Sequence, residues 1–92
     1  MNKIDLHKKI TEDMHGVYVA KNNDYGNSVH DTYEKYGMVS FLVRMEDKLN
    51  RLHSLTMNKS MVQDEKIEDT LLDLANYSVL AIMELQGYEL EN

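Results

Sequence analysis

Apolar residues recur along this chain at helical rather than strand spacing. Leu6, Ile10, Met14 and Val17 form one stripe on a helix predicted from about Ile4 to Asn22. Asp5 near its start and Lys21 near its end suit the helix dipole. Asn22 to Ser28 is dense in residues that tolerate left-handed backbone and predicts a loop. Ser28 is placed to cap a short helix from Val29 to Tyr36, which Gly37 breaks or bends. A second long helix follows from Met38 to Met57, with Met38, Phe41, Leu42, Met45, Leu49 and Leu52 on one side. Asn58 to Gln63 reads as a polar connection. Asp64 reads as the N-cap of a last helix that continues to about Gln86 and stops at Gly87, with Glu65 and Glu68 suiting its positive end.

The last helix carries the chemistry that needs explaining. At about 100° per residue, Ile67, Leu71, Leu74, Ala75, Ser78, Ile82 and Leu85 share one side, and Asp69, Asp73 and Asn76 the opposite one. A solvated face would stay polar, yet this one continues as Leu80 and Met83. The helix is therefore expected to be covered on two sides, with Asp69 and Asp73 at the mouth of a bundle interior. Two carboxylates one turn apart repel and call for a compensating charge. The second long helix offers Asp47 and Asn50 on one strip, with Glu46 beside them and Arg44, Lys48 and Arg51 nearby. Facing strips of oxygen ligands can hold a hard cation such as Mg²⁺, with Lys21, Lys48 and Arg51 on the outer oxygens of a polyphosphate. The plainer use of Asp69 and Asp73 is an interhelical salt bridge with Arg44, Lys48 or Arg51.

Composition narrows the field. Ninety-two residues make one domain, 1–92, and a chain this short buries only about 60–65% of its unfolded surface. Proline is absent and glycine occurs four times, so long uninterrupted elements are expected. The net charge of −6 argues against binding a nucleic-acid duplex, though a cation can bring a small phosphorylated ligand to an acidic protein. Without cysteine, thiolate metal sites and disulfides are excluded. His7, His15, His30 and His53 lack ligand spacing and read as surface or packing residues. No apolar run is long enough to span a bilayer and the start does not look like a signal peptide, so the expected compartment is the cytosol.

Three blocks stand in an informative order: Lys21-Asn-Asn-Asp24-Tyr25-Gly26-Asn-Ser28, Val43-Arg44-Met-Glu-Asp47-Lys48-Leu-Asn50-Arg51-Leu52, and Ile67-Glu68-Asp69-Thr-Leu-Leu-Asp73-Leu-Ala75-Asn76-Tyr77. Together they resemble the phage and bacterial nucleotide modification associated domain proteins. That group is similar to the all-α nucleoside triphosphate pyrophosphohydrolases of the MazG and dimeric dUTPase kind. The resemblance implies an all-α helical bundle of three main helices plus a short one, completed as a homodimer or homotetramer. It also implies Mg²⁺, or Mn²⁺ in its place, and a (d)NTP cleaved between its α and β phosphates. The slot matching the ExxE of the MazG kind reads Asp47-Lys-Leu-Asn50. The slot matching its ExxD reads either Asp73-Leu-Ala-Asn76 or Asp69 with Asp73, so amides stand where carboxylates are expected.

The expected assignment follows. Asp47, Asp69 and Asp73 hold the metal, and Glu46, Asp47 and Asp73 serve catalysis, Glu46 as a reserve ligand or the base that orients water. Lys21, Asp24, Tyr25, Lys48, Asn50, Arg51 and Asn76 contact the nucleotide, with Tyr25 offering a stacking face. A non-catalytic nucleotide-binding phage accessory protein and a helical oligomerisation module are the alternatives.

Overall fold

The computed structural model describes residues 1–25, 27–58 and 63–90, the side chains of Asp24, Tyr25, Gln63 and Asp64 excepted. The described residues form four helices and no strand: α1 (Lys3–Tyr25), α2 (Ser28–Tyr36), α3 (Val39–Met57) and α4 (Gln63–Gln86). The all-α expectation holds. Among these residues no helix is long and apolar enough to cross a membrane.

The helix ends follow from local chemistry. Asn2 caps α1, its side-chain oxygen accepting from the Asp5 N–H at 2.8 Å. Gly37 ends α2 at φ 71°, a left-handed conformation that favours glycine, and its N–H donates to the Tyr33 carbonyl at 2.7 Å. Gly87 closes α4 in the same way at φ 84°. Three expectations shift. α1 continues to Tyr25 instead of opening into a loop at Asn22. Asn27 holds the cap position of α2, and Ser28 is already helical, its carbonyl accepting from Thr32 Oγ1 at 2.9 Å. α4 begins at Gln63, so Asp64 lies within the first turn rather than capping it. Of the predicted connection between α3 and α4, residues 59–62 lie outside the described set.

The α3–α4 pair packs most extensively, α2 rests on α3, and α1 touches α4 more sparsely. Three links join α3 to α4 in a regular order. Arg44 lies over the Tyr77 ring at 6.0 Å, Lys48 Nζ is 3.1 Å from Asp73 Oδ2, and Arg51 Nε donates to Thr70 Oγ1 at 3.3 Å. Each turn forward along α3 is matched by a turn back along α4, which defines an antiparallel register. Thr70 is buried, and its hydroxyl donates to the Lys66 carbonyl, so no polar atom is stranded there. Tyr33 of α2 packs against Phe41 of α3 with ring centroids 5.9 Å apart.

Little else is buried. Phe41 at 2% exposure is the single fully enclosed apolar side chain among the described residues. Much of each predicted stripe stays open: Leu6, Ile10 and Val17 on α1, Leu42 and Leu49 on α3, and Leu71, Ile82 and Leu85 on α4. The accessible area of 7414 Å² exceeds the roughly 5,500 Å² expected of a folded chain this size. The radius of gyration, 15.0 Å, likewise exceeds the expected ~12 Å.

Because Phe41 anchors the one closed part of the core, Phe41→Ala is expected to destabilise the fold by about 3 kcal/mol in urea unfolding. A loss below about 1 kcal/mol would show that the site is not a packed core.

Candidate functional site

The four helices enclose a cavity of about 400 Å³, within the size range of small-molecule sites. α1 contributes Tyr18, Lys21 and Asn22; α2 contributes Ser28, Val29 and His30; α3 contributes Arg44 and Lys48. α4 supplies Asp73, Asn76, Tyr77, Leu80, Met83 and Glu84, and Tyr88 follows from the segment after it. A second groove of about 340 Å³ shares Tyr18, Lys21, Asp73 and Asn76 with the first and adds Met14, Val17, Asp69 and Leu72. Lys21, Asp73 and Asn76 thus sit where the two spaces meet.

The expected site residues separate into two sets. Lys21, Lys48, Asp73 and Asn76 come together in the cavity, and Asp69 lines the adjoining groove. Glu46, Asp47 and Asn50 are exposed on α3 and line neither space. Arg51 is directed to Thr70 in the helix seam. The side chains of Asp24 and Tyr25 lie outside the described residues. Asp73 takes the salt-bridge role, with Lys48 as its partner.

Among the described residues no group of three or more His, Asp or Glu side chains could hold a metal ion. Asp47, Asp69 and Asp73 therefore do not form one ligand set within a single chain. The groove does offer a pair, Asp69 and Asp73, one turn apart on α4. A pair fits Mg²⁺, which commonly takes one or two carboxylates and completes its shell with water and phosphate oxygens.

At the far end of the cavity lies a cluster that the sequence reading passed over. His30 Nδ1 stands 2.9 Å from Glu84 Oε2, and the Tyr88 hydroxyl donates to Glu84 Oε1. The Glu84 side chain is only 4% exposed, so its charge depends on these partners. The hydrogen bond to Glu84 raises the His30 pKa above 6.5; burial opposes it, and the charges of Glu84, Glu34 and Asp31 add to it. Burial pushes the Tyr88 phenol well above its ordinary value, with Glu84 adding to the effect. One signal was available: Glu84 interrupts the apolar run Val79–Leu85, and a carboxylate there needs a partner.

The cavity collects positive charge in an acidic protein. Among the described residues its two carboxylates already face cationic partners, Asp73 facing Lys48 and Glu84 facing His30. Lys21 and Arg44 remain, with no carboxylate in ion-pair range among the described residues. With Tyr18, Tyr77 and Tyr88 on its walls, the pocket of this small helical domain combines surplus positive charge with aromatic surfaces. The chain belongs to the family described as nucleotide modification associated domain 1, whose match covers residues 21–85. That span holds most of the pocket and omits Tyr18 and Tyr88. No curated protein and no solved structure matches the chain.

The raised His30 pKa fixes the sign of a pH effect. The His30–Glu84 contribution to stability is complete below pH 6.5 and is lost as pH rises through the folded-state value. The melting-temperature gap between wild type and His30→Ala should therefore be widest in mildly acidic buffer and narrower in alkaline buffer. A gap that stays constant with pH would contradict this assignment of the proton.

Proposed function

We propose that this domain binds a nucleoside phosphate, a (d)NTP in its fullest form, in the cavity between α1, α2, α3 and α4. The observation that carries the proposal is the charge surplus of Lys21 and Arg44 inside a chain of net charge −6. The family's association with nucleotide modification agrees with it. In this reading Lys21 and Arg44 meet phosphate oxygens, Lys48 holds Asp73 in place, and a tyrosine ring stacks on the base. Lys21→Ala and Arg44→Ala should each weaken nucleotide affinity about tenfold in calorimetric titration across a dNTP panel. Affinity unchanged in both variants would remove the pocket from the proposal.

A second reading, hydrolysis of the bound triphosphate to a monophosphate and pyrophosphate, is favoured by Asp69 and Asp73 sharing the groove beside Lys21. When bound there, Mg²⁺ would supply charge neutralisation on the phosphates and polarise a water. Asp69 and Asp73 would hold that ion, and Asn76 would orient a water or a sugar hydroxyl by hydrogen bonding. Asp69 is exposed, so Asp69→Asn is expected to leave the melting temperature unchanged while abolishing Mg²⁺-dependent pyrophosphate release. Turnover equal to wild type would exclude the carboxylate pair; no pyrophosphate release by the wild type would leave binding as the function.

The open apolar stripes support a homo-oligomer, a dimer or a tetramer. The chain exposes about 1,900 Å² more than a compact monomer would, enough for a large obligate interface. Light scattering at micromolar concentration should give at least twice the chain mass. A monomer there would contradict the oligomer.

A further inference from the structure

His30, Glu84 and Tyr88 form a built arrangement at the α2–α4 end of the cavity, and phosphate neutralisation by Lys21 and Arg44 leaves it unused. Glu84 is almost wholly withdrawn from water, and each of its oxygens has a partner: Oε2 the His30 Nδ1 at 2.9 Å, Oε1 the Tyr88 hydroxyl. Two contacts on one carboxylate fix its rotamer, and the fixed carboxylate fixes the imidazole. Tyr88 stands edge-on to that ring with centroids 5.8 Å apart. With Nδ1 committed, Nε2 is the nitrogen left for other work. Its nearest carboxylate, Glu34 Oε1 at 3.6 Å, is mostly exposed and beyond hydrogen-bond range. A ring aimed this firmly beside a cavity is more than a tie between two helices.

We propose that His30 is a further phosphate-contacting residue of this pocket, aimed by Glu84 and backed by Tyr88, donating through Nε2–H to an anionic oxygen of the nucleotide. This rests on the nucleotide reading and names a contact within it. The groups facing His30 are Glu84 from α4, Tyr88 from the segment after it, and Asp31 and Glu34 from α2 itself. α1 lines the same cavity with Tyr18 and Lys21, and α3 with Arg44 and Lys48. The hydrogen bond and charge of Glu84, with Glu34 and Asp31, hold the proton on the ring to higher pH than in a free histidine, so the Nε2 donor is present in mild acid and lost in alkali.

The test uses inorganic triphosphate, which has no base or sugar, alongside dATP. His30→Asn places an amide nitrogen where Nδ1 was, so the link to Glu84 survives while Nε2 disappears. The variant is expected to bind triphosphate about tenfold more weakly in mildly acidic buffer. The wild type should lose affinity more steeply than the variant as pH rises. In the intact wild type, the His30 Nε2 nitrogen resonance should shift on adding triphosphate while those of His7, His15 and His53 stay in place, a measurement independent of how the variant folds. Binding by the variant equal to wild type at every pH, or an unmoved His30 resonance in a saturated complex, overturns the contact and leaves the nucleotide reading intact. Failure of the wild type to bind either dATP or triphosphate overturns both.

Discussion

The antiparallel ladder between α3 and α4 is the interaction on which the rest depends. Arg44 with Tyr77, Lys48 with Asp73 and Arg51 with Thr70 lock one register of the two helices. None of these links is strong alone; a half-exposed ion pair such as Lys48–Asp73 contributes about 0–1 kcal/mol. Their value lies in specificity, because a slip by one turn would break all three together. With the register set, Arg44, Lys48, Asp73 and Asn76 line one space, which α1 and α2 then close.

Charge and exposed apolar surface are two consequences of one small fold. Four helices that, among the described residues, enclose a single large apolar side chain cannot cover their own stripes, so Leu6, Ile10, Ile82 and Leu85 stay open. The same sparse packing of α1 against α4 leaves the cavity and groove between them. Acidic residues dominate elsewhere, yet both carboxylates of the cavity face cations, and its remaining charge is positive. A phosphate would enter a site whose negative groups are already answered. An acidic protein can thereby carry a locally cationic pocket without a basic surface.

Much of the architecture was legible in the sequence because glycine stops and four-three apolar spacing are local signals. Gly37 and Gly87 ended their helices as expected, and the strip Asp69, Asp73, Asn76 lines the cavity and its adjoining groove. The asparagine-rich run after Lys21 misled because its turn propensity is a weak preference, which packing of Tyr18, Lys21 and Asn22 around the cavity overrides. On α3 the error was rotational. Lys48 lies in line with Phe41, Met45 and Leu52, whereas Asp47 is one residue, about 100°, further round and faces water. Periodicity locates an apolar stripe but does not say which polar flank meets the neighbouring helix. His30 and Glu84 are separated by 54 residues, and no local pattern joins them.

The central proposal is that the register-locked cavity receives the nucleotide. Backbone amide spectra recorded while a dNTP is titrated into the protein test it most directly. The account predicts saturable shifts concentrated at Lys21, Ser28, His30, Arg44, Asn76 and Tyr77. Shifts confined to the open stripes around Leu6 and Ile10, or none at saturating nucleotide, would contradict it.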